Sequence, residues 1–70
     1  MQTLGERLKA VRRRLGMSQE ELATRSGVAQ ASIDVVESGK RHYMRSDVLA
    51  RLVKALGVSA DELLGTEPDK

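Results

Sequence analysis

Between Ser18 and Arg45 the chain gathers side chains that recognise other molecules by hydrogen bonding and charge. Gln30, Ala31, Asp34, Val35 and Ser38 recur at helical spacing, so a helix over residues 30–38 shows all five on one outward face. A glutamine amide donates and accepts at once and matches the N6 and N7 edge of adenine. A carboxylate accepts from the N4 amino group of cytosine, and alanine or valine suits a thymine methyl. Each also reads as a solvated or merely spacing side chain. Asp34, which phosphates repel, reads more readily as pairing sideways with a basic neighbour. Lys40, Arg41 and Arg45 follow, either as cations that hold phosphates without reading sequence or as solvated loop charges. Ser18 and Gln19 stand where a helix begins, and the free amides and dipole of such an end favour an anion. Ser18 serves equally as a plain cap. Ser32 and Ser38 complete the set of candidate phosphate contacts.

Covalent and metal chemistry find little material here. The chain has one histidine, His42, and no cysteine, phosphate-binding loop or convergent carboxylates, so it is expected to be neither an enzyme nor a metal or cofactor carrier. No small-molecule site is evident. The lack of cysteine fits a reducing compartment. No apolar run approaches the ~18 residues that span a membrane, and no signal-peptide core opens the chain. A soluble, cytoplasmic protein is expected. Charge is uneven: residues 1–60 hold eleven basic and six acidic side chains (net +5), and residues 61–70 four acidic ones and Lys70 (net −3). A basic body suits a polyanion, although a mixed solvated surface has the same composition. Tyr43 is the only aromatic residue, which argues against single-stranded partners bound by base stacking.

The elements that must position these groups are short helices. Seventy residues make one small domain, which buries only about 60% of its unfolded surface. Thr3 and Glu6 form a capping box for a helix from about Leu4 to Leu15, striped by Leu4, Leu8, Val11 and Leu15. Ser18 and Glu21 open a second helix that ends near Arg25. A third spans about Gln30 to Ser38, with Ile33 and Val36 inward. Ser46 caps a fourth, ending at Gly57, whose broad stripe is Val48, Leu49, Leu52, Val53 and Leu56. Ser59 and Glu62 box a final turn or two through Leu64. No alternating strand pattern persists.

Helices two and three are too short to be stable alone, since isolated helices below ~12–15 residues are marginal in water. Ala23 supplies the small residue for their close approach and Gly27 the positive-φ turn, while Leu22, Val28, Ile33 and Val36 seal the angle from inside. Arg12 follows Leu8 by four and Glu37 follows Ile33 by four, so both charges fall on inward stripes and need partners.

With "LGERLKAVRRRLGMSQEELATRSGVAQASIDVVESGKR" and "LVKALGVSADELL" in view, residues 4–64 resemble the lambda-repressor-like, or XRE-type, helix-turn-helix family. "SQEELA", the glycine five residues after its leucine, the isoleucine six further on, "VESGKR" and "ALGVSADELL" carry the resemblance jointly. It implies a five-helix fold that binds specific duplex DNA sequences, usually as a two-fold dimer that represses or activates transcription. It implies a base or phosphate contact at Gln30, a phosphate contact at Gln19, and an internal ion pair between Arg12 and Glu37. It also implies a homodimer contact from helix four, its flanking loop and the last helix, where Leu56, Val58, Leu63 and Leu64 offer apolar surface, some of it core. Three features depart from the family pattern: Ala29 stands where relatives commonly have a Ser or Thr cap, Ala31 and Val35 stand where relatives often carry polar readers, and the loop from Gly39 to Ser46 lacks the proline many relatives have.

The expectation is an all-α, compact five-helix domain over residues 1–65 with a polar tail at 66–70. Its helix-turn-helix at helices two and three presents residues 30–38 to the major groove of an operator. The rival is a helix-turn-helix that serves mainly protein contacts, as in an antitoxin or coactivator, which Ala29, Ala31 and Asp34 favour slightly.

Overall fold

The computed structural model describes residues 3–65, so the expected tail at 66–70 lies outside the described residues. Five helices follow in order: α1 (Leu4–Arg14), α2 (Gln19–Ser26), α3 (Gln30–Glu37), α4 (Ser46–Leu56) and α5 (Ala60–Leu64). No strand occurs among the described residues. α1 packs on α3 and α5, α2 packs on α3 and α4, and α4 also meets α5. The helices thus close around one aliphatic core, in which Leu8, Leu22, Ile33, Leu52 and Leu63 are fully buried and Val11, Val28, Val36 and Leu56 nearly so. Each such side chain contributes roughly 1.5–3 kcal/mol by leaving water.

Local signals start most helices where the sequence puts them. The Thr3 hydroxyl accepts from the Glu6 N–H at 3.2 Å and the Glu6 carboxylate accepts from the Thr3 N–H at 2.9 Å, a complete box. At α2 the box is half made. The Ser18 hydroxyl accepts from the Glu21 N–H at 3.0 Å, but the Glu21 carboxylate turns instead to Arg25, one turn on, at 2.9 Å. α3 starts at Ala29 with no side-chain cap bond, as alanine requires. Two expectations are corrected. Ser46 is the first helical residue rather than the cap, because the chain stays extended through Arg45 (φ −63°, ψ 147°). Ser59 occupies the α5 cap position without a side-chain bond, and Glu62 reaches across to Arg14 instead of back to it.

Two glycines set the angle of α3. Gly27 is left-handed (φ +74°) and its N–H donates to the Ala23 carbonyl at 2.9 Å, which ends α2 and turns the chain toward α3. Gly5 acts from a distance. A β-carbon there would run into the Val36 carbonyl, so α1 lies directly on the last turn of α3. The first glycine sets where α3 begins, and the second sets how closely its other end lies on α1.

Candidate nucleic-acid interface

α3 shows its mixed face outward. Gln30, Ala31, Asp34 and Ser38 are exposed, while Val35 is half-buried and touches the core. The Ser38 hydroxyl donates to the Val35 carbonyl at 3.2 Å, closing the end of the helix. Ser32 is half-buried and lines a cleft of about 250 Å³ with Val36, Arg41, Met44, Arg45 and Val48. The chain has no cation between Arg25 and Lys40, so the exposed face of α3 carries hydrogen-bonding groups, methyls and one carboxylate.

Positive charge sits at its far end instead. Lys40, Arg41, His42, Tyr43 and Arg45 are all exposed. The loop is tied to α3 by the Gly39 N–H donating to the Val36 carbonyl and the Arg41 N–H to the Val35 carbonyl, both at 3.1 Å. The Arg41 guanidinium lies over the Tyr43 ring, 5.6 Å from its centre. Tyr43 is 70% exposed, so it does not cover the core edge. Arg45 meets Asp47 at 3.3 Å in an exposed pair, which leaves its guanidinium within reach of other anions.

The start of α2 lies beside the C-terminal half of α3, where Gln19 meets Asp34 and Glu37. Ser18 caps α2 through the Glu21 N–H, and the N–H groups of Gln19 and Glu20 are first-turn donors with no acceptor inside the helix. The Gln19 side chain has a different task. Its Nε2 donates to Glu37 Oε1 at 3.0 Å and, at a longer 3.4 Å, to Asp34 Oδ1. Both amide hydrogens therefore point to carboxylates of α3, and the α2 donors left for an outside anion are backbone ones. Asp34 takes its partner from Gln19. The cationic neighbour expected from sequence is absent, for no ion pair reaches Asp34 among the described residues.

Beneath α3 lies a polar lock. The Arg12 guanidinium donates from Nε to Glu37 Oε2 at 2.8 Å and from Nη2 to Oε1 at 2.9 Å, while Nη1 donates to the Met17 carbonyl at 2.7 Å. The two side chains are 9% and 2% exposed. Burial pushes the Glu37 carboxyl up, but hydrogen bonds from Arg12 and Gln19, with the charges of Arg12 and Lys9, outweigh it and hold the group below its ordinary value. The hydrogen bond to Glu37 raises the Arg12 guanidinium against the opposing effect of burial. Both residues are therefore charged, and the set joins α1, the α1–α2 turn, α2 and α3. No buried side-chain polar atom lacks a partner among the described residues.

The residues expected at a dimer contact do not stay together. Leu63 is fully buried and Leu56 is 5% exposed, so both are corrected from interface to core: they fill the space between α4, α5 and the rest of the chain. Val58 is half-buried and Leu64 is 47% exposed. Sequence reasoning missed two further residues. Gly5 had only one signal, a glycine inside a helix where alanine would be about 1 kcal/mol better. The double role of the Gln19 amide had none.

Two short helices at a glycine turn, the second exposed on its outer face and braced by α1 and α2, define a helix-turn-helix domain of the lambda-repressor-like class. The family described as "Helix-turn-helix domain" matches residues 3–64, and the chain belongs to it. Over 64 residues it is 34% identical to the HTH-type transcriptional repressor RghR of Bacillus subtilis (strain 168), a match covering 91% of this chain and 47% of that protein. The chain thus spans about half the length of this curated relative. Among solved structures it is similar to the restriction-modification controller protein C.AhdI from Aeromonas hydrophila (34% identity, TM-score 0.81, 87% of this chain and 91% of that one). It is also similar to SinR, a master regulator for biofilm formation, in complex with DNA (30%, 0.83, 86% and 95%). A third is the P22 c2 repressor in complex with a synthetic operator (33%, 0.83, 96% and 100%). No helix among the described residues is long and apolar enough to cross a membrane.

Proposed function

We propose that this chain is a sequence-specific, double-stranded DNA-binding transcriptional regulator, a repressor, that places α3 in the major groove. The observation that carries this reading is the layout around α3. The outer face of α3 is exposed and without cations, the backbone donors at the start of α2 lie beside its C-terminal half, and the cations Lys40, Arg41 and Arg45 follow its last turn. A helix is about 10–12 Å across and the groove about 12 Å wide, so the rod enters while these flanking groups meet the phosphate ridges. Affinity then comes from the framing groups, and sequence preference from Gln30, Ala31, Asp34 and Val35. Ser32 and Ser38 lie at the margins, where hydroxyls reach phosphates. The repressor assignment draws on RghR, and the DNA partner on the complexes of SinR and the P22 c2 repressor.

One module buries only ~600–1,000 Å² on DNA, which limits specificity. We therefore take the active form to be a weak homodimer on a two-fold operator with half-sites ~34 Å apart. The half-buried Val58 and the exposed Leu64, near the α4–α5 corner, are its contact. The working location is the cytoplasm, on the nucleoid when bound. Selection from a randomised duplex pool, followed by a salt series, tests the reading. A two-fold enriched site whose affinity falls linearly with log salt concentration supports it. No enriched site and no salt dependence would move the assignment to a protein-contact module.

A further inference from the structure

We propose that Gln19 is a positioning residue that aims the Asp34 carboxylate at the N4 amino group of a cytosine, fixing a C·G pair in each half-site. The inference rests on the DNA-binding reading above and adds the base that α3 selects.

Asp34 is the only charge on the exposed face of α3. No cation neutralises it among the described residues; its polar partner is the Gln19 amide, 3.4 Å away. That amide is itself anchored, because the same nitrogen donates to Glu37 Oε1 at 3.0 Å and Arg12 grips both Glu37 oxygens. A continuous chain of hydrogen bonds therefore runs from the buried Arg12, through Glu37 and Gln19, to one carboxylate oxygen on the outer face. One Asp34 oxygen is held, and the other is free to accept.

The major-groove edges of the four bases answer a carboxylate differently. Guanine offers N7 and O6, both acceptors, and repels it. Thymine offers the acceptor O4. Adenine sets its N6 donor beside the acceptor N7, where a side chain that both donates and accepts fits better. Cytosine alone offers an amino donor with no acceptor beside it. The commonest guanine contact needs arginine or lysine, and the exposed face of α3 has neither. A bare carboxylate beside phosphates weakens binding to every sequence, and it recovers that loss only where the cytosine amino group meets it. Such a group discriminates more than it attracts.

The test is pool selection and competition binding with the wild type, Asp34→Asn and Gln19→Ala, each first shown folded by its melting transition. The wild-type site should hold one fixed cytosine per half-site, and changing that C·G pair to T·A should cut affinity about tenfold. Asp34→Asn should move the preference at that one position toward adenine, the base an asparagine amide matches, and leave the others alone. Gln19→Ala should lose discrimination at the same position with an unchanged salt slope. An enriched site whose base preferences Asp34→Asn leaves unmoved overturns the proposal while DNA binding stands. So does a Gln19→Ala variant that weakens all sequences equally, since that is the mark of a phosphate contact. A wild type that enriches no site removes the DNA-binding reading, and this inference with it.

Discussion

Two arginines of α1, two positions apart, each reach a glutamate on another helix. Arg12 meets Glu37 on α3, and Arg14 meets Glu62 on α5. Both contacts are short, 2.8 and 2.6 Å, but the first pair is 9% and 2% exposed and the second 59% and 32%. Two positions along a helix turn a side chain by about 200°, so one arginine enters the core and the other lies at its rim. Distance does not separate the two pairs; water does. Arg12 and Glu37 have given up solvent and depend on one another, whereas either member of the outer pair can return to it. The inner pair fixes α3, the helix proposed to meet DNA. The outer pair adds a rim contact to a short terminal helix already held by Leu63.

Breaking the inner pair should have the largest effect. Glu37→Ala leaves the Arg12 charge buried without its partner and should cost about 3–5 kcal/mol in urea unfolding. Replacing both residues by apolar ones of similar volume should cost much less, because the isolated charge is the harm rather than the lost attraction. Gly5→Ala comes next. It pushes a methyl into the Val36 carbonyl at the same α1–α3 contact, and overpacking of this kind costs typically about 1–3 kcal/mol. The melting temperature should fall even though alanine is the better helix former.

Acid should open the inner pair in a defined direction. The Glu37 carboxyl sits below its ordinary value in the folded chain, so the stabilisation it gives is complete above the unfolded value of about 4.3. It drains as pH falls through the lower, folded value. The difference in stability between wild type and Glu37→Gln should therefore be constant above about pH 5 and shrink on further acidification. A gap that widens in acid would mean the carboxyl is not held in its charged form. The smallest effect belongs to the outer pair. A double-mutant cycle of Arg14→Ala and Glu62→Ala should give a coupling of roughly 0.2–1 kcal/mol, weakening with salt.

The same contrast explains what the sequence discloses. Thr3 and Glu6 were legible because a capping box is local: three residues of spacing settle it. The inward positions of Arg12 and Glu37 were legible from helical period, and the family pattern supplied their pairing. Gly5 was not, since its reason is a carbonyl thirty-one positions away that arrives only when α1 and α3 cross. Gln19 resembled a surface side chain because its two carboxylate partners lie across the α2–α3 angle. Ser46 misled for the opposite reason. Serine prefers caps, but the extended backbone persists only to Arg45, and the helix takes Ser46 as its first turn. Leu56 and Leu63 misled because apolar stripes look alike whether they face a partner or the chain's own interior.

On the proposed function, duplex DNA meets the outer face of α3, with the start of α2 and the loop after α3 beside it. Titrating the ¹⁵N-labelled chain with a selected duplex and following backbone amide shifts tests it most directly. The large shifts should fall at Gln19, Glu20, Gln30, Ala31, Asp34 and the loop from Lys40 to Arg45, with smaller ones at the proposed dimer contact of Val58 and Leu64 and the rim of α1 around Arg14 unmoved. Shifts centred on α5 and the rim of α1 around Arg14, with α3 silent, would contradict it.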